Sequence, residues 1–307
     1  MISQRSLIFR VFYFFVLCAF LNSFIPPVVL SMVEEELGVP AAPVRYDPSL
    51  HSHYSIDLAN VEDINQVTSD FIRKIEENGF VVLTHAVDPE KVEHTKKLLS
   101  DTYQYFKDHQ EALPIDDRLA FSNSHIGEEQ FKIHNRGASL FDVLNSNVIS
   151  LCQAFFNGEA TISPCAHTRI VNAAPTLYHQ QPIHFHADSM YHGSNRFGLN
   201  FWTPLEDCGE DKPTLQVCVA STEEVRRRVK FNKQTGFDPQ IVENLKGGSL
   251  DVLAGLPRYY FPMKKGDIIV FSNWTLHAGY ADSAMTTLPR MSMELRYLGP
   301  SFDRTTN

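Results

Sequence analysis

Hydrophobic positions in the first half of the chain recur with a helical period. Val67, Phe71 and Ile75 lie four residues apart and form one apolar stripe, which predicts a helix. Gly79 directly follows this stripe and is typical of a helix end, because glycine readily adopts the left-handed conformation that closes a helix. The apolar run 80–83 comes next and predicts a buried strand.

Two more helices are predicted before residue 160. Asp88 followed by Pro89 is an N-cap with proline at the first helical position. One face of that helix is marked by Val92, Thr95, Leu99, Tyr103 and Phe106. Residues 108–138 are polar and rich in turn signals. The next helix is predicted to end before Gly158, and its apolar side carries Leu140, Leu144, Val148, Leu151 and Phe155.

The pattern changes from about Ala166 onward to short β-rich runs that are separated by turn signals. Several short strands in succession indicate a sandwich or jelly roll. Within this half, Ser221 and Glu224 form a capping box that predicts a helix inside an insertion over 221–262. The predicted strands cover 167–173, 176–179, 183–187, 196–204, 214–219, 268–273 and 290–298.

The predicted layout is one domain over 60–302, preceded by an irregular segment, 32–59. The helical part covers 60–158, and the β-rich core covers about 165–300. We therefore predict an α+β fold in which amino-terminal helices pack outside a β core that carries a helical insertion. A chain of 307 residues is long enough to bury a sizeable core in one such domain.

The amino-terminal segment 1–31 contains an apolar stretch, Val11–Ile25, that is short for a membrane span. Basic residues before the stretch and glutamates after it are typical of a signal peptide or an anchor. Met32 is an equally good candidate for the true start, in which case 1–31 is an over-extended reading frame. A membrane association through residues 7–31 and an exported form therefore both stay open.

Composition narrows the classes of partner. Apolar residues make up 43% of the chain and charged residues 21%, as in ordinary globular proteins. The 36 acidic residues outnumber the 27 basic ones, so the net charge is -9 and no nucleic-acid partner is expected. The five cysteines contain no CxxC pair, which argues against a disulfide framework or a cysteine zinc site.

Three side chains carry the most informative chemistry. His186 and Asp188 are two residues apart in a predicted strand, so both would point to the same face of the sheet. His277 follows the predicted strand 268–273 far downstream. Two imidazoles and one carboxylate on a rigid β scaffold are the facial triad of non-haem Fe(II), which leaves the opposite face of the metal open.

A candidate anion clamp follows the distal histidine. Arg290 can hold a carboxylate through two hydrogen bonds, and the Ser292 hydroxyl adds a donor beside it. This pair suits the distal carboxylate of 2-oxoglutarate. Trp202 and Tyr178 are further candidates for the cofactor pocket, although a core role explains Trp202 equally well.

Other polar residues near these positions compete for the same roles. His184 is read as a pocket residue that supports the ligands rather than as a ligand, and His192 as a loop or substrate-pocket residue. Arg169 could line the cavity, whereas Arg296 suits a surface or ion-pair role.

In these motifs the chain resembles the Fe(II)/2-oxoglutarate dioxygenases, and most closely the phytanoyl-CoA dioxygenase family. The matching pieces are His186-Ala-Asp188, the run 199–205 around Trp202, His277 after a Lys-Gly-Asp turn, and Arg290-x-Ser292. The resemblance covers roughly residues 60–300. It implies a cupin-like double-stranded β-helix that holds one Fe(II) and turns over 2-oxoglutarate with O2 to succinate and CO2.

The predicted activity is hydroxylation of a small organic or lipid-like substrate, and Asp188 favours hydroxylation over halogenation because a carboxylate occupies the place that a halide would need. Two alternatives stay open: a cupin-type small-molecule binding protein with a vestigial metal site, and a zinc-dependent cupin enzyme. Because Fe(II) and 2-oxoglutarate are cytosolic resources, a cytoplasmic location, with or without an anchor, is favoured over export.

Overall fold

The structure is a computed structural model, and it describes most of the chain from residue 44 onward. The described residues are 44–47, 52–112, 125–163, 166–171, 185–192, 196–231, 238, 240–241, 251–253, 255–281, 285 and 289–301. The segment 1–31, with its predicted signal or anchor, lies outside these ranges. The predicted strand 176–179 and the candidates Tyr178 and His184 lie outside them as well.

Twelve strands are present in the described residues, and they form two sheets. In chain order the strands are β1 (Val44–Arg45), β2 (Ser55–Asp57), β3 (Phe80–Thr84), β4 (His125–Gly127), β5 (Thr161–Ile162), β6 (His167–Val171), β7 (Arg196–Pro204), β8 (Thr214–Cys218), β9 (Arg258–Tyr260), β10 (Ile268–Ser272), β11 (His277–Tyr280) and β12 (Arg290–Ser301). The large sheet has the order β2-β3-β10-β7-β12-β6-β4, and β5 also pairs with β12. The small sheet has the order β1-β9-β8-β11.

Helices flank the strands in sequence. The α-helices in the described ranges are α1 (Asn65–Asn78), α2 (Pro89–Asp108), α3 (Glu128–His134), α4 (Ser146–Phe155), α5 (Ser189–His192) and α6 (Thr222–Arg228). Short 3-10 helices are Ser52–Tyr54, Gln110–Ala112, Leu140–Val143 and Asp251–Leu253. The helix predicted from the capping box at Ser221 is thus present as α6, whereas much of 221–262 is outside the described residues and the insertion as a whole stays a prediction.

The two largest hydrophobic clusters of the described residues lie on opposite faces of the large sheet. Phe71 and Ile75 of α1 are fully buried, and they pack in one cluster with Val81 and Leu83 of β3. The other face of the large sheet packs against the small sheet, so that Trp202 and Phe271 share a cluster with residues of β8 and β9. Alternate residues of β3, β7 and β10 therefore enter different cores, as the two-residue period of a strand requires.

The transition from α1 to β3 follows the sequence pattern closely. Gly79 adopts φ +83°, and its N–H donates to the Ile75 carbonyl at 2.9 Å. A Cβ at this position would lie 2.6 Å from the Ala220 carbonyl oxygen, which no side chain tolerates. Glycine is thus required here twice, for its backbone conformation and for the close approach of another segment.

The single helix predicted over Leu140 to Phe155 is wrong. The segment forms a 3-10 turn, an extended residue at Leu144 (ψ +134°), and then α4. Local side-chain caps explain the break: Ser139 and Asp142 form a capping box at the first turn, and the Asn145 side chain accepts from the Val148 N–H at 2.9 Å. The helical spacing of the apolar residues continues across this break, so the sequence pattern gave no sign of it.

The polar segment 108–138 contains more structure than its turn signals indicated. It includes β4 and α3, in which Ile126 and Phe131 are almost completely buried. β4 is only three residues long and has a single apolar residue facing the core, so its period is too short to detect. Pairing with β6 creates this strand.

Candidate active site

Three candidate metal-binding side chains converge where the two sheets meet. An isolated antiparallel bridge joins His186 to His277, with the His186 N–H donating at 3.1 Å and the His277 N–H returning a bond at 3.0 Å. The Asp188 Oδ1 atom lies 3.5 Å from His186 Nε2 and 3.9 Å from His277 Nε2. One donor atom from each residue lies within 4.8 Å of the others, so a single ion can contact all three.

Asp188 reaches this cluster by a different local structure than predicted. It does not continue a strand; it directly precedes α5, whose first residue, Ser189, donates its N–H to the Asn273 carbonyl at 2.8 Å. The expectation that His186 and Asp188 share a face through strand alternation is therefore wrong in mechanism. The tertiary anchor at Asn273 takes the place of the strand.

Burial and neighbouring charges prepare Asp188 and His277 as ligands. Burial, followed by the nearby His186, lowers the pKa of His277 to about 4, so the ring is neutral at pH 7. Its Nδ1 lies 2.9 Å from the Thr275 carbonyl oxygen, which can only accept, so Nδ1 carries the proton and Nε2 has a free lone pair. Burial alone would raise the pKa of Asp188, but the Arg296 guanidinium and the two imidazoles hold it well below its usual range.

The inner face of β12 extends this site with a row of polar residues. Arg290, Ser292, Glu294 and Arg296 alternate along the strand and therefore point to the same side. The neighbouring strands add residues to this row. His167 of β6 pairs with Glu294 on one side of β12, and Trp202 of β7 pairs with Glu294 on the other side. A cavity of about 40 Å³ next to the triad is lined by His167, Arg169, His186, Trp202, Leu215, His277, Gly279, Arg290, Ser292 and Glu294.

Arg290 is a buried cation with a donor that the protein leaves unused. Its side chain hydrogen-bonds to the Ser292 hydroxyl, and its Cζ lies 5.5 Å from the centre of the Trp202 ring. The residue is only 2% exposed, and its Nε has no hydrogen-bond partner among the described residues. A buried guanidinium that lines a cavity and has an unsatisfied donor is well suited to an anionic ligand.

The remaining candidates are Arg169, Arg296 and His192. Arg169 lines the cavity, and its Nε and Nη2 lie 3.1 and 2.9 Å from His125 Nε2. Arg296 is 6% exposed, so the surface role suggested for it is wrong, while the ion-pair role is confirmed by its contact with Asp188 at 3.0 Å. The backbone of His192 ends α5, and its side chain is not described.

Sequence reasoning missed two polar residues beside the triad. Asn200 of β7 donates from Nδ2 to Asp188 Oδ2 at 2.7 Å, and Glu294 of β12 pairs with Arg296. The strand parity shared with Arg290 could have revealed Glu294. Asn200 lies two residues before Trp202 and could have been found in the same way, but nothing in the sequence indicates that it reaches Asp188.

A protein-family model, described as phytanoyl-CoA dioxygenase (PhyH), matches residues 75–287. This match spans more than half of the chain and includes His186, Asp188 and His277. The chain belongs to the phytanoyl-CoA dioxygenase family. The predicted class, an oxygenase dependent on iron and 2-oxoglutarate, is therefore confirmed at the level of the family.

Solved structures agree on the fold at low sequence identity. EctD from S. alaskensis, solved with 2-oxoglutarate and 5-hydroxyectoine, matches 84% of this chain and 82% of its own at 14% identity and a TM-score of 0.51. The carbocyclase SnoK from nogalamycin biosynthesis matches 77% of this chain and 86% of its own, at 11% identity and a TM-score of 0.51. The epimerase SnoN, in complex with Fe3+, alpha ketoglutarate and nogalamycin RO, matches 76% of this chain and 84% of its own, at 14% identity and a TM-score of 0.50.

These likenesses and the two packed sheets confirm the predicted cupin-like jelly roll as the core of the fold. No curated protein matches the chain. In the described ranges, every helix is too short or too polar to cross a bilayer.

Proposed function

We propose that the protein is an Fe(II)- and 2-oxoglutarate-dependent hydroxylase of a small organic substrate, with His186, Asp188 and His277 as the iron ligands. The observation that carries this proposal is the convergence of their donor atoms within 4.8 Å. Two imidazole nitrogens and one carboxylate oxygen are the donor set that non-haem Fe(II) uses in facial triads. The Thr275 carbonyl supports the proposal further, because it holds His277 in the tautomer that a ligand needs.

Arg290 and Ser292 bind the distal carboxylate of 2-oxoglutarate in this proposal, and Trp202 forms the wall beside them. The unused Nε donor of Arg290 supports this role, because a carboxylate would satisfy it at little cost in reorganisation. The guanidinium is already desolvated, so the pair forms in a medium of low dielectric constant. Tyr178 lies outside the described residues and stays a predicted member of the same pocket.

When bound, the iron supplies the oxidative chemistry by which 2-oxoglutarate and O2 become succinate and CO2 and a C–H bond is hydroxylated. The chain's own residues bind, orient and exclude water. Trp202 and Leu215 form the apolar part of the cavity wall, whereas His167, Arg169 and Glu294 form a polar part. This polar part favours a substrate with hydrogen-bonding groups over a purely lipid-like one.

The deciding experiment reconstitutes the full chain anaerobically with Fe(II) and 2-oxoglutarate and records the metal-to-ligand charge-transfer band. We expect the band in the wild-type protein and its loss in His277→Ala and Asp188→Ala, because each variant removes one ligand. His109→Ala is the matched control, since the His109 ring is exposed and hydrogen-bonds the Tyr105 carbonyl at 2.9 Å, at the end of the same helix. Absence of the band in the wild type, or its persistence in either ligand variant, would contradict the proposal.

A separate readout tests turnover. On admission of air, the wild type is expected to convert 2-oxoglutarate to succinate, slowly without the substrate and faster with it. A zinc enzyme or a binding protein with a vestigial site would form no succinate, and this result would favour the alternatives raised by the sequence.

A further inference from the structure

The two carboxylate oxygens of Asp188 have different surroundings. Oδ1 faces the imidazoles of His186 and His277. Oδ2 points away from them and accepts from Asn200 Nδ2 at 2.7 Å and from Arg296 Nη2 at 3.0 Å. The carboxylate is therefore held from behind by two donors, one of them a cation.

These two donors are themselves fixed in place. Arg296 and Asn200 lie directly opposite each other in the β12–β7 ladder, and Arg296 Nε donates to Asn200 Oδ1 at 2.8 Å. Asn200 is 1% exposed and Arg296 is 6% exposed, so neither has room to change rotamer freely. The same guanidinium also pairs with Glu294, so one buried cation is shared by two carboxylates.

We propose that Arg296 and Asn200 are positioning residues that hold Asp188 as a one-oxygen metal ligand, with Oδ1 toward the ion and Oδ2 occupied. This inference rests on the proposed function, since it assigns a role in the same metal site. A carboxylate that is free to rotate can bind a metal through both oxygens. With Oδ2 engaged, Asp188 would offer a bound metal only Oδ1, which would leave the open face of a facial triad to the co-substrate and O2.

Arg296 acts on the charge of Asp188 as well as on its position. A guanidinium that shares the carboxylate draws charge from it, and Glu294 offsets this pull by binding the same guanidinium. Both bonds to Oδ2 involve the ionised Asp188 carboxylate, and hydrogen bonds of this kind are roughly twice as strong as neutral ones, so the two donors together fix the orientation of Asp188. Partners of this kind typically contribute 10–100-fold to metal affinity.

The test measures Co(II) binding to the metal-free full chain by calorimetry and by the Co(II) absorption spectrum, without 2-oxoglutarate and without turnover. Arg296→Gln and Asn200→Asp are each expected to weaken Co(II) binding by roughly 10–100-fold and to change the spectrum. Arg296→Lys keeps the cation and is expected to recover part of the affinity. Arg196→Gln is the matched control, because Arg196 lies on the same strand as Asn200 and bonds the Gly299 carbonyl instead of Asp188.

The outcomes separate this inference from the proposed function. If the wild type fails to bind Co(II), or if His277→Ala binds it equally well, the proposed metal site itself is wrong. If binding requires His277 but Arg296→Gln and Asn200→Asp both stay within about twofold of the wild type, only the positioning role is overturned. Unfolding of both variants in the metal-free state would show that the network serves stability, and it would overturn the positioning role too.

Discussion

Arg290 should decide whether the protein distinguishes 2-oxoglutarate from a ligand that lacks the distal carboxylate. The matched ligand is 2-oxobutyrate, which retains the 2-oxo acid group but ends in a methyl group. In the wild type, the distal carboxylate would gain two hydrogen bonds from a guanidinium that is only 2% exposed. We therefore expect a preference for 2-oxoglutarate that disappears when Arg290 is replaced by methionine.

The magnitude follows from the number and type of bonds. Hydrogen bonds to charged groups contribute about 1.5–3 kcal/mol each, so two contribute about 3–6 kcal/mol. At about 1.4 kcal/mol for each factor of ten, the wild type should prefer 2-oxoglutarate roughly 100- to 10,000-fold. Arg290→Lys keeps the charge but loses the planar fork, so about half of this free energy, or a preference of roughly 10- to 100-fold, should remain.

The assay is calorimetric titration of both ligands into the Mn(II)-loaded full chain. Arg169→Met is the control that competes with the assignment, because Arg169 is the other arginine that lines the cavity. It should leave the preference for 2-oxoglutarate intact. Arg290 is not the anion clamp if Arg290→Met retains the wild-type preference, or if Arg169→Met, and not Arg290→Met, abolishes it.

Two further predictions concern the scaffold. Gly79→Ala should lower the free energy of unfolding by more than 1 kcal/mol, since it adds a positive-φ penalty of about 1 kcal/mol to a Cβ that would lie 2.6 Å from the Ala220 carbonyl oxygen. Urea denaturation measures this, and an unchanged midpoint would contradict the close approach. Glu206→Gln should lower the free energy of unfolding by about 1–3 kcal/mol at about pH 7, because the Glu206 carboxylate accepts hydrogen bonds from Lys212 at 2.9 Å and from the Met291 N–H at 2.9 Å. Burial opposes ionisation of Glu206, but these hydrogen bonds outweigh it and lower the pKa of the carboxyl group. The difference in free energy of unfolding between the wild type and Glu206→Gln should therefore be complete above the usual carboxyl pKa range. It should vanish as the pH falls below that range, because the carboxylate is then protonated. A difference that persists at about pH 3 would show that packing, rather than charge, is responsible.

Local signals in the sequence predicted several elements closely. The strand predicted over 196–204 is present with those bounds, and the end of α1 at Gly79 and the Asp88 cap of α2 are as expected. These succeed because the determinants are contained in a few adjacent residues: alternation, a left-handed glycine, or a side chain that accepts a nearby N–H. Where local signals conflicted, as at Ser139 and Asn145, the caps prevailed over the continuous apolar period.

The candidate site divides in the same way. Its residue types and their order along the chain predicted His186, Asp188 and His277 as metal ligands and Arg290 as an anion clamp, because a family signature is written in sequence order. Their distances could not be read from that order, because the contact between His186 and His277 depends on a bridge that joins residues 91 positions apart.

By itself, therefore, the sequence determined the strands and helices with strong local signals, the chemical class of the site, and the family to which the chain belongs. Only the tertiary structure decided that Asp188 is held by α5 rather than by a strand, that Arg296 is buried behind it, and that Asn200 supports both. The physical reason is that hydrogen bonds and burial depend on which strands become neighbours. The register of β12 against β7 sets these contacts, and no short stretch of sequence contains it.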